Sequence, residues 1–278
     1  MKAAAPPSAS PIPGLAFATE RVFRALAGVP ELSGFVLIGG TAMALQCCHR
    51  LSEDLDFWLA AGRLSDRTLR PVLEAATQAG LAHAFVGPTS AQRSAFRINR
   101  GVSEGLHLDE LIRDYEVGGV KVQFFVASDA ERAAFAPYAA AATTGIAEAG
   151  LSTAFRIMPL DGLFAMKSYV IQRRHRSRDV LDLWHFVKAG RTIDEIVAHS
   201  QRVSSTATTE RAIAVLRGDV AFDAVDVGFR SLAPDVDIER VHADFCAWTD
   251  EYEQARARAI KASVEAGDPP KTLGGGGS

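Results

Sequence analysis

The chain is poor in cysteine, in long apolar runs and in net charge, and each shortage removes a class of protein. Three cysteines stand among 278 residues, Cys47, Cys48 and Cys246, two of them adjacent. A disulfide framework is excluded, and the pattern suits a reducing compartment. The best apolar run begins at Phe35 and is ended by Gln46 and His49, short of the roughly 18 residues that a membrane span needs. Thirty basic against 33 acidic side chains leave a net charge of −3, so the total gives no sign of a polyanionic partner. Such a sign has to come from local clustering. No internal repeat is visible. With 48% hydrophobic residues the chain can build one large core or two modest ones.

The two ends read as flexible. Residues 1–14 form a lead-in whose prolines at positions 6, 7, 11 and 13 prevent a helical signal-peptide core, and a cytoplasmic protein is expected. Residues 267–278 end in Gly-Gly-Gly-Gly-Ser, a linker-like tail that is either native or appended. Between them the fold class is α+β. A first domain over residues 15–150 mixes helices with a sheet, and a mainly helical domain over 151–266 follows. Helices are expected over 17–27, from a Thr41 cap through 42–47, and over 65–79. Strands are expected at 34–38, 54–59, 94–99, 106–112 and 115–126, the last with a turn or bulge at Gly118-Gly119. In the second domain Pro159 opens a helix that continues or restarts at 179–188, and helices follow at 192–200, 208–217 and 238–265.

One constellation carries chemistry. Gly39-Gly40-Thr41 closes the first strand, and Asp54-Leu55-Asp56 opens the second. Alternation along a strand puts Asp54 and Asp56 on one face, where two carboxylates repel and a cation resolves the repulsion. Oxygen ligands at that separation suit Mg²⁺, which favours one or two carboxylates plus phosphate oxygens. The glycines let backbone N–H groups approach a phosphate at the start of the next helix. The plainer alternative is a tight turn followed by two solvent-facing aspartates. Cys47-Cys48-His49 is not a zinc site, because neighbours in sequence do not all face one metal and no second ligand pair stands at suitable spacing.

The run from Ile38 through Gly39-Gly40-Thr41, Ala44-Leu45, His49-Arg50, Ser52 and Asp54-Leu55-Asp56-Phe57 to Trp58 closely resembles the signature of the AbiEii/AbiGii-type nucleotidyltransferase toxins, members of the DNA-polymerase-β-like nucleotidyltransferase superfamily. Cys48 departs from it, standing where that family usually has glycine. The resemblance implies a polymerase-β-like core with a mixed sheet. It also implies that Asp54 and Asp56 hold Mg²⁺ (or Mn²⁺) and that Gly39, Gly40, Thr41 and Ser52 contact a nucleoside triphosphate. For His49, Arg50 and Ser52 a turn-shaping or packing role stands beside direct contact. Sites of this kind usually add a third carboxylate, often in a Val-Lys-x-Asp stretch. Here that stretch reads Val120-Lys121-Val122-Gln123. One-metal chemistry is the preferred explanation. A substitute such as Asp109 or Asp114, or a weakened enzyme, remains open.

A second segment, Asp161–Lys188, carries five cations between Lys167 and Arg178, the others being Arg173, Arg174 and Arg176, together with His175. On a continuous helix Lys167, Ile171, Arg174 and Arg178 would share one face, a row able to meet a triphosphate or an RNA backbone. A merely solvated face is the alternative. The segment also resembles the same family's second signature, which implies that Lys167 and Arg178 bind the nucleotide. Asp182, with Asp179, would either position those cations or approach the active site. The catalytic set so implied is Asp54, Asp56, Lys167 and Asp182. The expected activity is transfer of a nucleoside monophosphate from an NTP to an acceptor hydroxyl, with RNA or tRNA as acceptor. Resemblance makes the chain the toxin of a bacterial toxin–antitoxin or phage-defence pair, with a separate antitoxin as partner and no membrane. Adenylylation of a small molecule or a protein is the alternative, and a silent nucleotide- or RNA-binding module is a third.

Overall fold

The computed structural model describes residues 11–87, 108–146 and 150–266. Helix α1 (Phe17–Ala27) leads into β1 (Phe35–Ile38), α2 (Gly39–Cys47) and β2 (Leu55–Leu59). Helix α3 (Asp66–Gln78), capped by Ser65, precedes β3 (His83–Phe85), and the hairpin β4 (Ile112–Val117) and β5 (Val120–Val126) follows. Then come α4 (Asp129–Ala140) and β6 (Arg156–Ile157). The remainder is helical: α5 (Leu160–Val170), α6 (Ser177–Lys188), α7 (Ile193–Val203), α8 (Thr209–Arg217) and α9 (Ile238–Glu265). The expected α+β class and the helical second half are both present. Among the described residues no helix is long and apolar enough to cross a membrane.

The six strands form one mixed sheet in the order β3-β4-β5-β2-β1-β6. β2 runs parallel to β5 and β6 parallel to β1, while the other pairs are antiparallel. Alternation sorts the side chains. Phe35 and Leu37 of β1, Phe57 of β2 and Phe124 of β5 share one face, where Phe57 stacks on Phe124 at 5.2 Å and Phe155 meets Phe57 edge-on. The opposite face carries Asp56, with Gln123 beside it in register and Asp114 beside Gln123. An aromatic core thus fixes one side of the central strands and leaves polar groups aligned on the other.

Several elements depart from expectation for identifiable reasons. The expected strand at 94–99 lies outside the described residues. Helix α2 starts at Gly39, three residues earlier than expected, and Thr41 lies inside it rather than at its cap. The segment 161–188 is not one helix: α5 stops at Val170 and α6 starts at Ser177, with residues 171–176 forming a turn between them. The expected linear row of cations is therefore absent. β6 lies beyond residue 150 yet pairs with β1, and Met158 N–H donates to the Leu37 carbonyl at 3.0 Å.

Candidate active site

A cleft opens on the polar face of the sheet. Gly39, Gly40, Asp54 and Asp56 line its floor, with Lys121 and Gln123 on the β5 side and Lys167, Arg174, Arg176 and Arg178 opposite. The two signature segments, more than a hundred residues apart in sequence, meet here.

The glycine pair has a local cause. Gly39 adopts φ +71°, and a Cβ there would stand 2.5 Å from Asp56 Oδ2. At Gly40 a Cβ would collide with the Arg50 guanidinium. Both positions admit the side chains of the second half of the motif. Helix α2 has no side-chain cap at its N-terminus, so its first N–H groups carry unsatisfied positive potential beside the cleft. Thr41 and Ser52 do not face the cleft equally. Ser52 lines it, whereas Thr41 is buried beneath it and donates to the Asp54 carbonyl while sharing a 2.8 Å hydrogen bond with Ser52. Thr41 thus fixes the backbone from which the Asp54 carboxylate projects.

Asp54 lies one residue ahead of β2 and Asp56 within it, both partly accessible. Burial and the neighbouring Asp54 carboxylate push the Asp56 carboxyl above its ordinary range. That repulsion is what a cation would relieve. Asp54 and Asp56 offer hard oxygen donors, and Gln123 adds an amide group in register with Asp56. Among the described residues no cluster of three His, Cys, Asp or Glu side chains encloses an ion. An open two-carboxylate set fits Mg²⁺, which retains waters and accepts phosphate oxygens. Gln123 donates from Nε2 to Asp114 Oδ1 at 2.7 Å, and Asp114 also meets Lys121 Nζ at 3.4 Å. Asp114 is buried behind Gln123, and Asp109 sits in the short turn before β4; neither lines the cleft.

The cations are built on an acidic foundation. Asp182 has no exposed surface and accepts from His49 Nε2 at 2.6 Å and from Arg50 Nε and Nη2 at 2.7 and 3.1 Å. Lys167 Nζ stands 2.6 Å from Asp182 and 2.6 Å from Asp179. Arg174 forks onto Asp179 at 2.8 and 3.2 Å. Burial would raise both carboxyls, but Arg50, Lys167 and the His49 hydrogen bond hold Asp182 well below the usual range. Arg174 and Lys167 do the same for Asp179. Asp182 does not line the cleft, and its oxygens are taken by three partners, so its chemistry here is to orient Lys167 and Arg50. Arg178 Nη1 instead reaches Asp54 Oδ2 at 3.3 Å. Lys121 is a cleft residue that the motifs did not single out; the Val-Lys-Val-Gln alternation, which puts it on Gln123's face, was its signal. Burial, with Cys48 and Asp182 nearby, pushes the Cys47 thiol up to about 11, so it stays protonated at neutral pH.

A family model described as nucleotidyl transferase AbiEii toxin, type IV TA system, matches residues 21–266. Among solved structures the chain is similar to JHP933 from Helicobacter pylori, at 16% identity and a TM-score of 0.43, over 87% of this chain and 95% of that one. It is also similar to MenT4, a nucleotidyltransferase toxin from Mycobacterium tuberculosis H37Rv, at 16% identity and a TM-score of 0.45, over 91% and 96% of the two chains. No curated protein matches.

Proposed function

This chain belongs to the AbiEii family of nucleotidyl transferase toxins of type IV toxin–antitoxin systems, and from that membership we propose a Mg²⁺-dependent transfer of a nucleoside monophosphate from an NTP to an acceptor hydroxyl on RNA. The single observation that carries this reading is the meeting of Asp54 and Asp56 with Gly39, Gly40, Lys167 and four arginines in one cleft. Asp54 and Asp56 would hold the cation, with Mn²⁺ as an alternative. When bound, the cation neutralises phosphate charge. The uncapped start of α2 and Lys167 receive the polyphosphate, and Arg174, Arg176 and Arg178 offset its remaining charge. Asp179 and Asp182 keep Lys167 fixed before substrate arrives, so little reorganisation accompanies the reaction. The acceptor supplies the attacking hydroxyl, and pyrophosphate leaves.

The RNA acceptor, a tRNA end included, is supported by the arginines at the cleft rim rather than by a track along a helix. Arg173 and Arg174 are exposed on the turn, and Arg176 is partly so. The proposed setting is the toxin of a bacterial toxin–antitoxin or phage-defence pair, acting in the cytoplasm with a cognate antitoxin as partner. One feature favours a second reading, transfer to a small cationic acceptor. A depression adjoins the cleft, shares Asp54 and Lys121 with it, and is lined by Glu53 and Glu116.

Incubation with each α-labelled NTP, Mg²⁺ and total RNA tests the proposal. Label is expected on RNA 3′ ends. Label on protein or small molecules alone would replace the RNA reading, and no label anywhere would remove the transfer reading.

A further inference from the structure

The connection between α8 and α9, residues 218–237, contains neither helix nor strand, yet it is tied to both halves of the cleft. At one end of the cleft it clamps the loop that carries Arg50. Leu51 N–H donates to the Arg230 carbonyl at 3.0 Å, and Leu232 N–H donates to the His49 carbonyl at 3.2 Å. At the other it binds the turn between α5 and α6. Asp223 N–H donates to the His175 carbonyl at 2.8 Å, and the Asp223 carboxylate accepts from His175 N–H at 3.3 Å. The Asp226 carboxylate accepts from both Ser177 N–H, at 3.2 Å, and Ser177 Oγ–H, at 2.8 Å.

The second contact answers a local need. Helix α6 begins after Arg176, whose side chain caps nothing, so its first N–H groups lack the usual partner. Asp226, 49 residues downstream of Ser177, supplies the missing cap and places a negative charge at the positive end of the helix. Asp226 is itself held by its N–H on the Asp223 carbonyl, at 2.8 Å, and by Gly228 N–H on its Oδ2, at 3.3 Å. From α8, Arg211 Nε adds a bond to the Gln172 carbonyl at 3.0 Å. The turn so held carries Arg174 and Arg176, and Arg178 follows in the first turn of α6. Three guanidiniums within five residues repel one another, and a short turn has no helical ladder to resist that repulsion.

We propose that residues 219–232 are a strap that sets affinity for the nucleoside triphosphate, with Asp226 as its principal positioning residue and Asp223 in support. The strap holds the 171–176 turn so that its arginines converge on the polyphosphate, and it holds the Arg50 loop against the same cleft. The proposal rests on the nucleotidyltransferase reading above.

Calorimetric titration of the full chain with each of the four NTPs in Mg²⁺ tests it, using wild type, Asp226→Ala, Asp226→Asn and Asp223→Ala. Asp226→Ala is expected to bind the preferred NTP about 5- to 10-fold more weakly, the loss of one cap. Asp226→Asn keeps an acceptor for Ser177 N–H and is expected within about twofold of wild type, since Asn is as good a cap as Asp. Hydrogen exchange of amides 172–178 should rise in Asp226→Ala and not in Asp226→Asn, while amides of α7 stay unchanged. Equal NTP affinity in Asp226→Ala and wild type overturns the strap. If circular dichroism shows that Asp226→Ala does not fold, Asp223→Ala, which removes the acceptor of His175 N–H, decides: weaker NTP binding supports the strap, and unchanged binding overturns it. A wild type that binds none of the four NTPs overturns the nucleotidyltransferase reading and the strap with it, a result distinct from wild-type binding that the variants leave untouched.

Discussion

Lys167 enters the cleft with Asp179 and Asp182 each 2.6 Å from its ammonium, and Asp182 also receives Arg50 and His49. The two carboxylates are buried and depressed in pKa, so their ionised forms are stabilised by folding. A carboxyl whose folded value lies below its unfolded value, about 4 for Asp, contributes fully above that value and loses its contribution as pH falls toward the folded one. Stability is therefore expected to be level on their account between pH 5 and 8 and to fall below about pH 4. Asp182→Asn leaves Arg50 and Lys167 short of a buried counter-charge. It is expected to cost about 3–5 kcal/mol in urea unfolding at pH 7 and to flatten the acid slope, because the titrating group is gone. Asp56 behaves oppositely. Its carboxyl is destabilised by burial and by Asp54, so Asp56→Ala is expected to keep or raise the unfolding midpoint while reducing transfer to background. Measurement of both quantities on one preparation checks it. Asp54, Asp56 and Lys167 could be singled out from spacing and motif. That Asp182 faces inward to Lys167 and Arg50 while Asp54 faces the cleft could not, because an acidic side chain is written the same way whether a cation covers it or water does.

At the scale of elements, helix spans were the most legible part. α1 and α9 span the expected residues and Ser65 caps α3 as expected, whereas Thr41 does not cap α2. α4 went unread although Ser128 and Glu131 form a capping box at its start; Pro137 and an alanine-rich run hide its amphipathic period. β6 has two residues and exists only through its pairing with β1, so no local pattern could show it. The break at 171–176 is one of two readings the sequence leaves open, a helix that continues or restarts, because its residues suit a helix and the strap that holds the turn lies far downstream. Cys48 shows the reverse case, a local departure from a family signature that structure explains. It terminates α2 at φ 51° and ψ 36°, the left-handed region that glycine occupies without steric cost. A non-glycine residue there is strained by about 1–2 kcal/mol, against which glycine loses more chain entropy on folding. Cys48→Gly is therefore expected to raise stability by up to about 1 kcal/mol, with NTP transfer unchanged. Thermal unfolding checks the first and the labelled-NTP assay the second.

Over the whole molecule, the expected boundary near residue 150 does not separate two hydrophobic cores. One apolar cluster runs from Ile12 to Phe245 and includes Phe57 of β2, Phe155 next to β6, Phe164 of α5 and Leu216 of α8. The sheet itself takes its last strand from beyond the boundary, and α5 packs on α2. Polar ties follow the same path. Gln46 donates to the Met158 carbonyl at 3.0 Å, Arg50 forks onto Asp182, and the strap binds residues 49–51 and 175–177 at once. Each tie crosses the boundary, and the Arg50–Asp182 fork and the strap end at or beside the cleft, so the halves cannot part without dismantling the site. Unfolding in urea is accordingly expected as a single transition. The double variant Trp184→Phe/Trp248→Phe leaves Trp58 of β2 as the one tryptophan, whose fluorescence follows the sheet, while circular dichroism at 222 nm follows all the helices, the larger share of which lies in the second half. Both probes should give one midpoint. Transitions separated by more than about 0.5 M urea, roughly 1 kcal/mol at the slopes usual for small proteins, would show that the helical half is an independent unit. In that case the cleft would be an interface between two bodies, and NTP binding would be expected to bring the two midpoints together.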